Sequence, residues 1–181
     1  MVKRQLAVHM NKILLILGLA IVLVVLSPPA NPRANDIQNE LAQAACLALN
    51  AYHEARGEPL MGQLLTIFVV LNRVDHPDYP ATPCDVIFQG PMVESWRGDG
   101  TTFPARNRCQ FSWWCDGKSD AIHNDIAYAK LFVLSRAVLA GKVSDFSNGA
   151  THYHATSVSP KWGFIRLTQV GDHIFYRQEI G

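Results

Sequence analysis

Acidic residues are absent from the first 35 positions of this 181-residue chain, and a basic excess is absent from everything after them. Lys3, Arg4, Lys12 and Arg33 precede Asp36, whereas all 15 Asp and Glu lie at or beyond it. From Asp36 onward, 12 basic side chains face 15 acidic ones, a net charge of −3 with neutral histidines. That excludes a nucleic-acid partner, which would select a basic surface. It also excludes a broad basic field for gripping an anionic polymer, so binding has to come from a cleft. There is no C-x-x-C pair among the four cysteines, which argues against a structural zinc site. Internal repeats are missing as well, and low complexity is confined to the N-terminus.

A comfortable membrane span is also lacking. Residues 13–26, ILLILGLAIVLVVL, are unbroken apolar sequence, but a bilayer asks for ~20 such residues. The basic start, the short apolar core and the following Ser27-Pro28-Pro29-Ala30 read as a secretory signal over residues 1–26. A retained signal-anchor is the alternative, since no clean A-x-A site follows. Any membrane contact is expected only through this segment. Residues 27–35 read as a Pro/Asn-rich linker and residues 36–181 as one folded domain, large enough to bury a core. Export places the chain in the periplasm or envelope, where an even set of cysteines favours disulfides. Cys46, Cys84, Cys109 and Cys115 allow three pairings. Cys109–Cys115 as a local staple and Cys46–Cys84 as a tie between segments is the preferred one.

Apolar residues recur at helical spacing over residues 36–56, with Gly57 as a stop. Pro59 suits the first turn of a second helix, which runs to about Val74 and has so little polar face that it reads as the buried central helix. Residues 89–108 are rich in Gly, Pro and Arg and read as a long loop. Residues 109–115 read as extended. A third helix covers residues 121–141. In the tail, Thr151-His152-Tyr153-His154 and His173-Ile174-Phe175-Tyr176-Arg177 alternate as short strands.

The string His53-Glu54-Ala55-Arg56-Gly57-Glu58 places two carboxylates around an arginine at a helix end. Such a junction can hold a carboxylate rigidly at a cleft, where partial burial raises its pKa as a general acid requires. An ordinary charged helix terminus would look the same. What separates the two is the wider pattern. YHEARGEPLMGQLLTIFVVLNRV resembles the opening motif of the cell wall hydrolase family that includes spore cortex-lytic enzymes. The resemblance continues through CDVIFQG (residues 84–90), CQFSWWCDG (109–117), GATHYHA (149–155) and GDHIFY (171–176). Residues 91–108 depart from it.

The resemblance implies an α+β, mainly helical domain like lysozymes and lytic transglycosylases, with a short β-hairpin beside a groove. It implies peptidoglycan glycan strands as substrate, cleaved at the β-1,4 link between N-acetylmuramic acid and N-acetylglucosamine. It makes Glu54 the catalytic acid and leaves Glu58 a structural role. No cofactor and no metal are expected. A lytic transglycosylase needs only this one acid, whereas two-carboxylate glycosidases place a partner about 5–9.5 Å away. Asp75, Asp78 and Asp116 remain open as that partner.

Phe111, Trp113, Trp114, Tyr153, Trp162 and Tyr176 offer flat faces for sugar rings, although large aromatics also dominate small cores. Strand alternation would put Gln110 and Ser112 on the substrate side and Phe111 in the core. By the resemblance, Tyr153 and His154 line the groove; Trp162 is a further candidate contact. Two alternatives stand beside this reading. His152, His154 and His173 could converge on a zinc ion, giving a metal-dependent amidase. A non-catalytic wall-binding module is the other.

Overall fold

The computed structural model describes residues 32–180. The apolar segment read as a signal or signal-anchor, and the start of the stretch read as a linker, lie outside the described residues. Two units divide the chain, Met1–Ile37 and Gln38–Gly181; the second holds every element below except the opening of the first helix. Among the described residues no helix is long and apolar enough to cross a membrane.

Helix α1 spans Pro32–Ala55 and α2 spans Leu60–Val74. Residues 32–35, read as linker, are therefore helical. The α1 face carrying Ala44, Leu47, Ala48, Ala51, Tyr52 and Ala55 is buried; this is the i, i+3, i+4 recurrence visible in the sequence. Helix α2 buries most of its residues, Gln63, Thr66 and Arg73 included. These three polar side chains each have a structural explanation. Thr66 Oγ1 donates back to the Gly62 carbonyl at 3.0 Å. Gln63 and Arg73 tie α2 to its neighbours, as described below.

Helix α3, Pro83–Ile87, is a short turn capped by Thr82, whose hydroxyl accepts from the Asp85 amide. Helix α4, Asp125–Leu139, is capped by the Asn124 side chain accepting from Ala127 N. Its start is held from outside too: the buried Tyr52 hydroxyl accepts from the amides of His123 and Asn124 at 3.0 and 3.1 Å. The third helix is thus shorter than residues 121–141, and the amides of His123 and Asn124 before it are held by α1 rather than by helical bonds.

Residues 89–108 are not a featureless loop. Strands β1 (Met92–Glu94) and β2 (Thr102–Pro104) form an antiparallel hairpin, with Val93 opposite Phe103. Residues 109–115 are not extended either: Ser112–Cys115 forms a 3₁₀ turn. The disulfide between Cys109 and Cys115 closes this loop, so the chain folds back instead of running as a strand. The other disulfide, Cys46–Cys84, ties α1 to α3.

The tail forms a three-stranded antiparallel sheet ordered β3 (His152–Ala155), β5 (His173–Arg177), β4 (Ile165–Val170). Strand β4 was not anticipated. Its residues are mostly exposed, so its apolar pattern is weak. Phe175 on β5 is fully buried against Leu65, Val69 and Ala150, which seats the sheet on α2.

Chain-entropy arguments separate the two bridges. Cys46–Cys84 spans 38 residues and Cys109–Cys115 spans 6, which corresponds to roughly 4 and roughly 2 kcal/mol. Replacing both cysteines of the first pair with serine should lower unfolding free energy in urea by about twice as much as replacing the second pair. Equal losses would show that native-state contacts, not loop closure, set the contribution.

Candidate active site

Glu54 stands one residue before the end of α1. Its Oε2 accepts a hydrogen bond from the Tyr153 hydroxyl at 3.0 Å, so the helix end and strand β3 meet at this carboxylate. Burial raises the Glu54 pKa above the ordinary carboxylate range, while the Tyr153 hydrogen bond and the charge of Arg73 pull it back. The Tyr153 phenol is itself pushed well up by burial and by Glu54, so it remains a proton donor to the carboxylate.

Three ties hold this geometry. The chain reverses between α1 and α2 at residues 56–59. There Gln63 Nε2 donates to the Glu58 carbonyl at 2.9 Å and approaches the Arg56 carbonyl at 3.4 Å. Carbonyls at a helix end lack intrahelical partners, and this buried amide supplies one. Second, Glu58 Oε2 accepts from the Asp172 amide at 3.0 Å, clamping the β4–β5 turn to the helix junction. Gly171 in that turn has φ +56°, and a Cβ there would collide with the Glu58 carboxylate and Pro59. Third, Asn72 Nδ2 donates to Ser147 Oγ at 2.7 Å and to the Ala150 carbonyl at 2.9 Å. Arg73 Nε donates to the Thr151 carbonyl at 2.7 Å. The end of α2 therefore fixes the segment that leads into β3 and aims Tyr153.

The sequence candidates separate into three places. Glu54 and Tyr153 are in contact. Gln110 and Ser112 are exposed on either side of buried Phe111, but in a closed loop rather than on one strand face. Phe111 lies under the Arg73 guanidinium, 5.2 Å from ring centroid to Cζ. His154 and Trp162 belong to a third group, an aromatic cluster with Tyr176, His152 and Phe164. His154 stacks on Tyr176 at 5.2 Å, and Trp162 meets His154 edge-on at 5.4 Å. Strand alternation puts this cluster on the sheet face opposite Tyr153, so His154 does not line the same surface as Tyr153.

The same alternation removes the three-histidine zinc reading. His152 and His154 pair with Tyr176 and Ile174, whereas His173 pairs with Ala155. His173 therefore sits on the inner face, with its ring 4.9 Å from Tyr153. Among the described residues no group of three His, Cys, Asp or Glu is placed to hold a metal. His152 is held neutral, its pKa pushed down to about 4, chiefly by burial and then by Arg73 and His76.

The candidate second carboxylates are occupied elsewhere. Glu58 holds the Asp172 amide. Asp78 Oδ2 accepts from Gln178 Nε2 at 3.0 Å. Asp116 accepts from the Lys118 amide and pairs with its ammonium at 3.5 Å. Asp75 lines a separate cavity of about 570 Å³ with Asn72, His76, Arg177 and Glu179. Arg56, between the two glutamates in sequence, pairs with neither; it donates to the Tyr52 carbonyl and lies over that ring. Gln63, Asn72 and Arg73 escaped the residue-level reading, although polar side chains within an apolar helix are a legible signal of buried ties.

Comparison with known proteins places these features. The Cell Wall Hydrolase family matches residues 57–176, a stretch that starts three residues beyond Glu54. The spore cortex-lytic enzyme of Halalkalibacterium halodurans is 30% identical over 151 residues, covering 81% of this chain and 36% of that protein. The spore cortex-lytic enzyme of Bacillus subtilis (strain 168) is 30% identical over 132 residues, or 71% of this chain and 35% of that protein. The chain thus spans about a third of the length of the curated relatives it matches. The crystal structure of the catalytic domain of the Bacillus cereus SleB protein superposes with a TM-score of 0.53. It shares 24% identity and covers 75% of this chain and 89% of that one. That likeness shows a shared fold: a small, mainly helical α+β domain.

A carboxyl group whose pKa is raised by folding takes up protons on folding. Its favourable contribution is complete below the unfolded pKa and is lost as pH rises through the folded value. Glu54→Gln removes the titrating group. Its melting temperature relative to wild type should therefore rise as pH increases from acid toward neutrality and then level off. Thermal melts of both proteins across that range check this; a pH-independent difference would mean that Glu54 ionises as easily folded as unfolded.

Proposed function

This chain belongs to the cell wall hydrolase family, and from that premise we propose that it cleaves peptidoglycan glycan strands as a lytic transglycosylase with Glu54 as its acid and base. The observation that carries this reading is the raised pKa of Glu54, a part-buried carboxyl at a helix end that Tyr153 holds in one orientation. A carboxyl whose pKa is raised by burial holds its proton to higher pH and can deliver it in the transition state.

The reaction then needs one group used twice. Glu54 gives its proton to the glycosidic oxygen of the link between N-acetylmuramic acid and N-acetylglucosamine. The C1–O bond breaks, and its electron pair leaves with that oxygen. The muramic acid C6 hydroxyl attacks C1 and closes a 1,6-anhydro ring, and its proton returns to Glu54. Atoms balance without water. Tyr153 keeps the carboxylate oriented between the two steps. The engagement of Glu58, Asp78 and Asp116 with other partners favours this single-acid route over a two-carboxylate hydrolysis.

Substrate contacts are proposed at Gln110 and Ser112, exposed on the 109–115 loop, with Trp162 and His154 as a separate aromatic surface. The half-exposed Trp162 ring, 38% accessible, can stack on a sugar. The apolar residues 13–26 support export to the cell envelope, by a cleaved signal or a retained anchor.

Glu54→Gln should lower the release of glycan fragments from purified sacculi by at least 10²–10⁴-fold while the protein stays folded. Glu58→Gln should cost far less activity, because its carboxylate serves the β4–β5 turn. Mass spectrometry of the wild-type products should find 1,6-anhydro-muropeptides. A dead Glu58→Gln beside an active Glu54→Gln would reassign the acid, and reducing-end products would replace transglycosylation by hydrolysis.

A further inference from the structure

Arg73 is a buried cation with no anion in contact. It is 5% exposed, and among the described residues no ion pair includes it. Its Nε is committed to the Thr151 carbonyl, and its Nη1 is buried without a hydrogen-bond partner. The guanidinium is sandwiched instead, with Cζ 5.2 Å from the ring centroids of both Tyr79 and Phe111. Guanidinium groups do not deprotonate in proteins, so the charge is there at every working pH. Burying it unpaired costs several kcal/mol. Holding the Thr151 carbonyl does not explain that cost, since a neutral donor would serve.

What the charge faces does explain it. Arg73 holds the Thr151 carbonyl two residues before Tyr153, whose hydroxyl is bonded to Glu54, and from there its charge favours the Glu54 carboxylate. The other titratable groups around the pair are Tyr79 and His76, from the segment after α2, and His152 on β3. His152 is neutral, with a pKa of about 4. The Tyr79 phenol is pushed up by burial and so is uncharged too. Arg73 therefore supplies the cationic field at Glu54.

We propose that Arg73 is a positioning residue for charge: its buried guanidinium stabilises the Glu54 carboxylate that exists between proton delivery and proton return. A direct ion pair would hold Glu54 ionised at rest and leave no acid to begin the reaction. No bond at all would leave the newly formed carboxylate in a desolvated site with one hydrogen bond. A cation near the carboxylate but not bonded to it leaves burial to raise the Glu54 pKa and still lowers the cost of ionising it. This role rests on the reading of Glu54 as the acid.

The test titrates Glu54 directly, by carbon-detected NMR of the side-chain carboxyl, in wild type, Arg73→Gln and Arg73→Lys. The alkaline limb of kcat/KM on sacculi is measured in parallel. Removing the charge in Arg73→Gln should raise the Glu54 titration point and the alkaline limb by about one pH unit or more. Arg73→Lys keeps the charge and should leave both near wild type. An unmoved titration in folded Arg73→Gln overturns the proposal. So does an upward shift in Arg73→Lys, which would trace the effect to the lost Thr151 bond; if Arg73→Gln does not fold, Arg73→Met, which also removes the charge, takes its place with the same expected and overturning outcomes. The titration needs no substrate. If wild type released no glycan fragments, the proposed function would fall while the pairing of Arg73 with Glu54 was still being tested.

Discussion

Everything at the site depends on how the last turn of α2 holds the chain on its way into β3. Asn72 and Arg73 bind the carbonyls of two successive residues, Ala150 and Thr151, and Asn72 also holds Ser147. This is a polar attachment made by side chains of an otherwise apolar helix, and it reaches nearly 80 residues along the sequence. The Tyr153 hydroxyl reaches Glu54 only because that attachment sets where β3 begins. The far end of the sheet is set independently, by the Glu58 carboxylate on the Asp172 amide. The two ties bracket the α1–α2 junction, so a shift of the sheet would have to break hydrogen bonds at both.

Such bracketing matters because Glu54 sits between opposing electrostatic effects. Desolvation favours its protonated form, and the Tyr153 hydroxyl and the Arg73 charge favour the carboxylate. Each effect changes steeply with position in a low-dielectric site. Loosening β3 would weaken the hydrogen bond and admit water together, changing two of the three at once. A rigid scaffold is thus a requirement of the proposed acid–base role and not only of stability. It also gives a physical content to the pair Gly62-Gln63. The small residue lets the Glu58 side chain pass, with a Cβ at Gly62 already only 3.1 Å from Glu58 Cβ. The amide closes the carbonyls of the turn.

The helices were legible because burial and period agree: Ala44, Ala48 and Tyr52 recur on one buried face, and α2 has little polar face. Elements held by distant groups were not legible. The start of α4 depends on the Tyr52 hydroxyl, and β4 is largely exposed and carries little pattern. The 109–115 segment looked like a strand from its aromatic content. Its shape is instead set by a disulfide, by Trp113 Nε1 donating to Asn50, and by the Trp113 ring stacked on His53. At the site, the motif singled out the helix end where Glu54 meets Tyr153. The division of the aromatic candidates between two faces of the sheet was not, because it depends on the β3–β5 register, and a shift of one residue reverses every side chain.

The hairpin within residues 91–108 follows from the same division between fixed and free parts. Its two strands expose both faces, and Trp96 at the tip is 90% accessible. An isolated two-stranded hairpin is marginal in water, so this one depends on its root. There the Gln110 amide bonds the Gln89 carbonyl, and Gly90 packs so closely on Cys109 that a Cβ would lie 3.0 Å from its sulfur. The disulfide then closes the 109–115 loop immediately beyond. Below the strands, the Asn107 amide bonds the Cys115 carbonyl and Arg106 reaches the Asp116 carbonyl, which adds to this clasp. The stretch read in the sequence as departing from the resemblance is thus an exposed hairpin on a root that is bonded to the 109–115 loop.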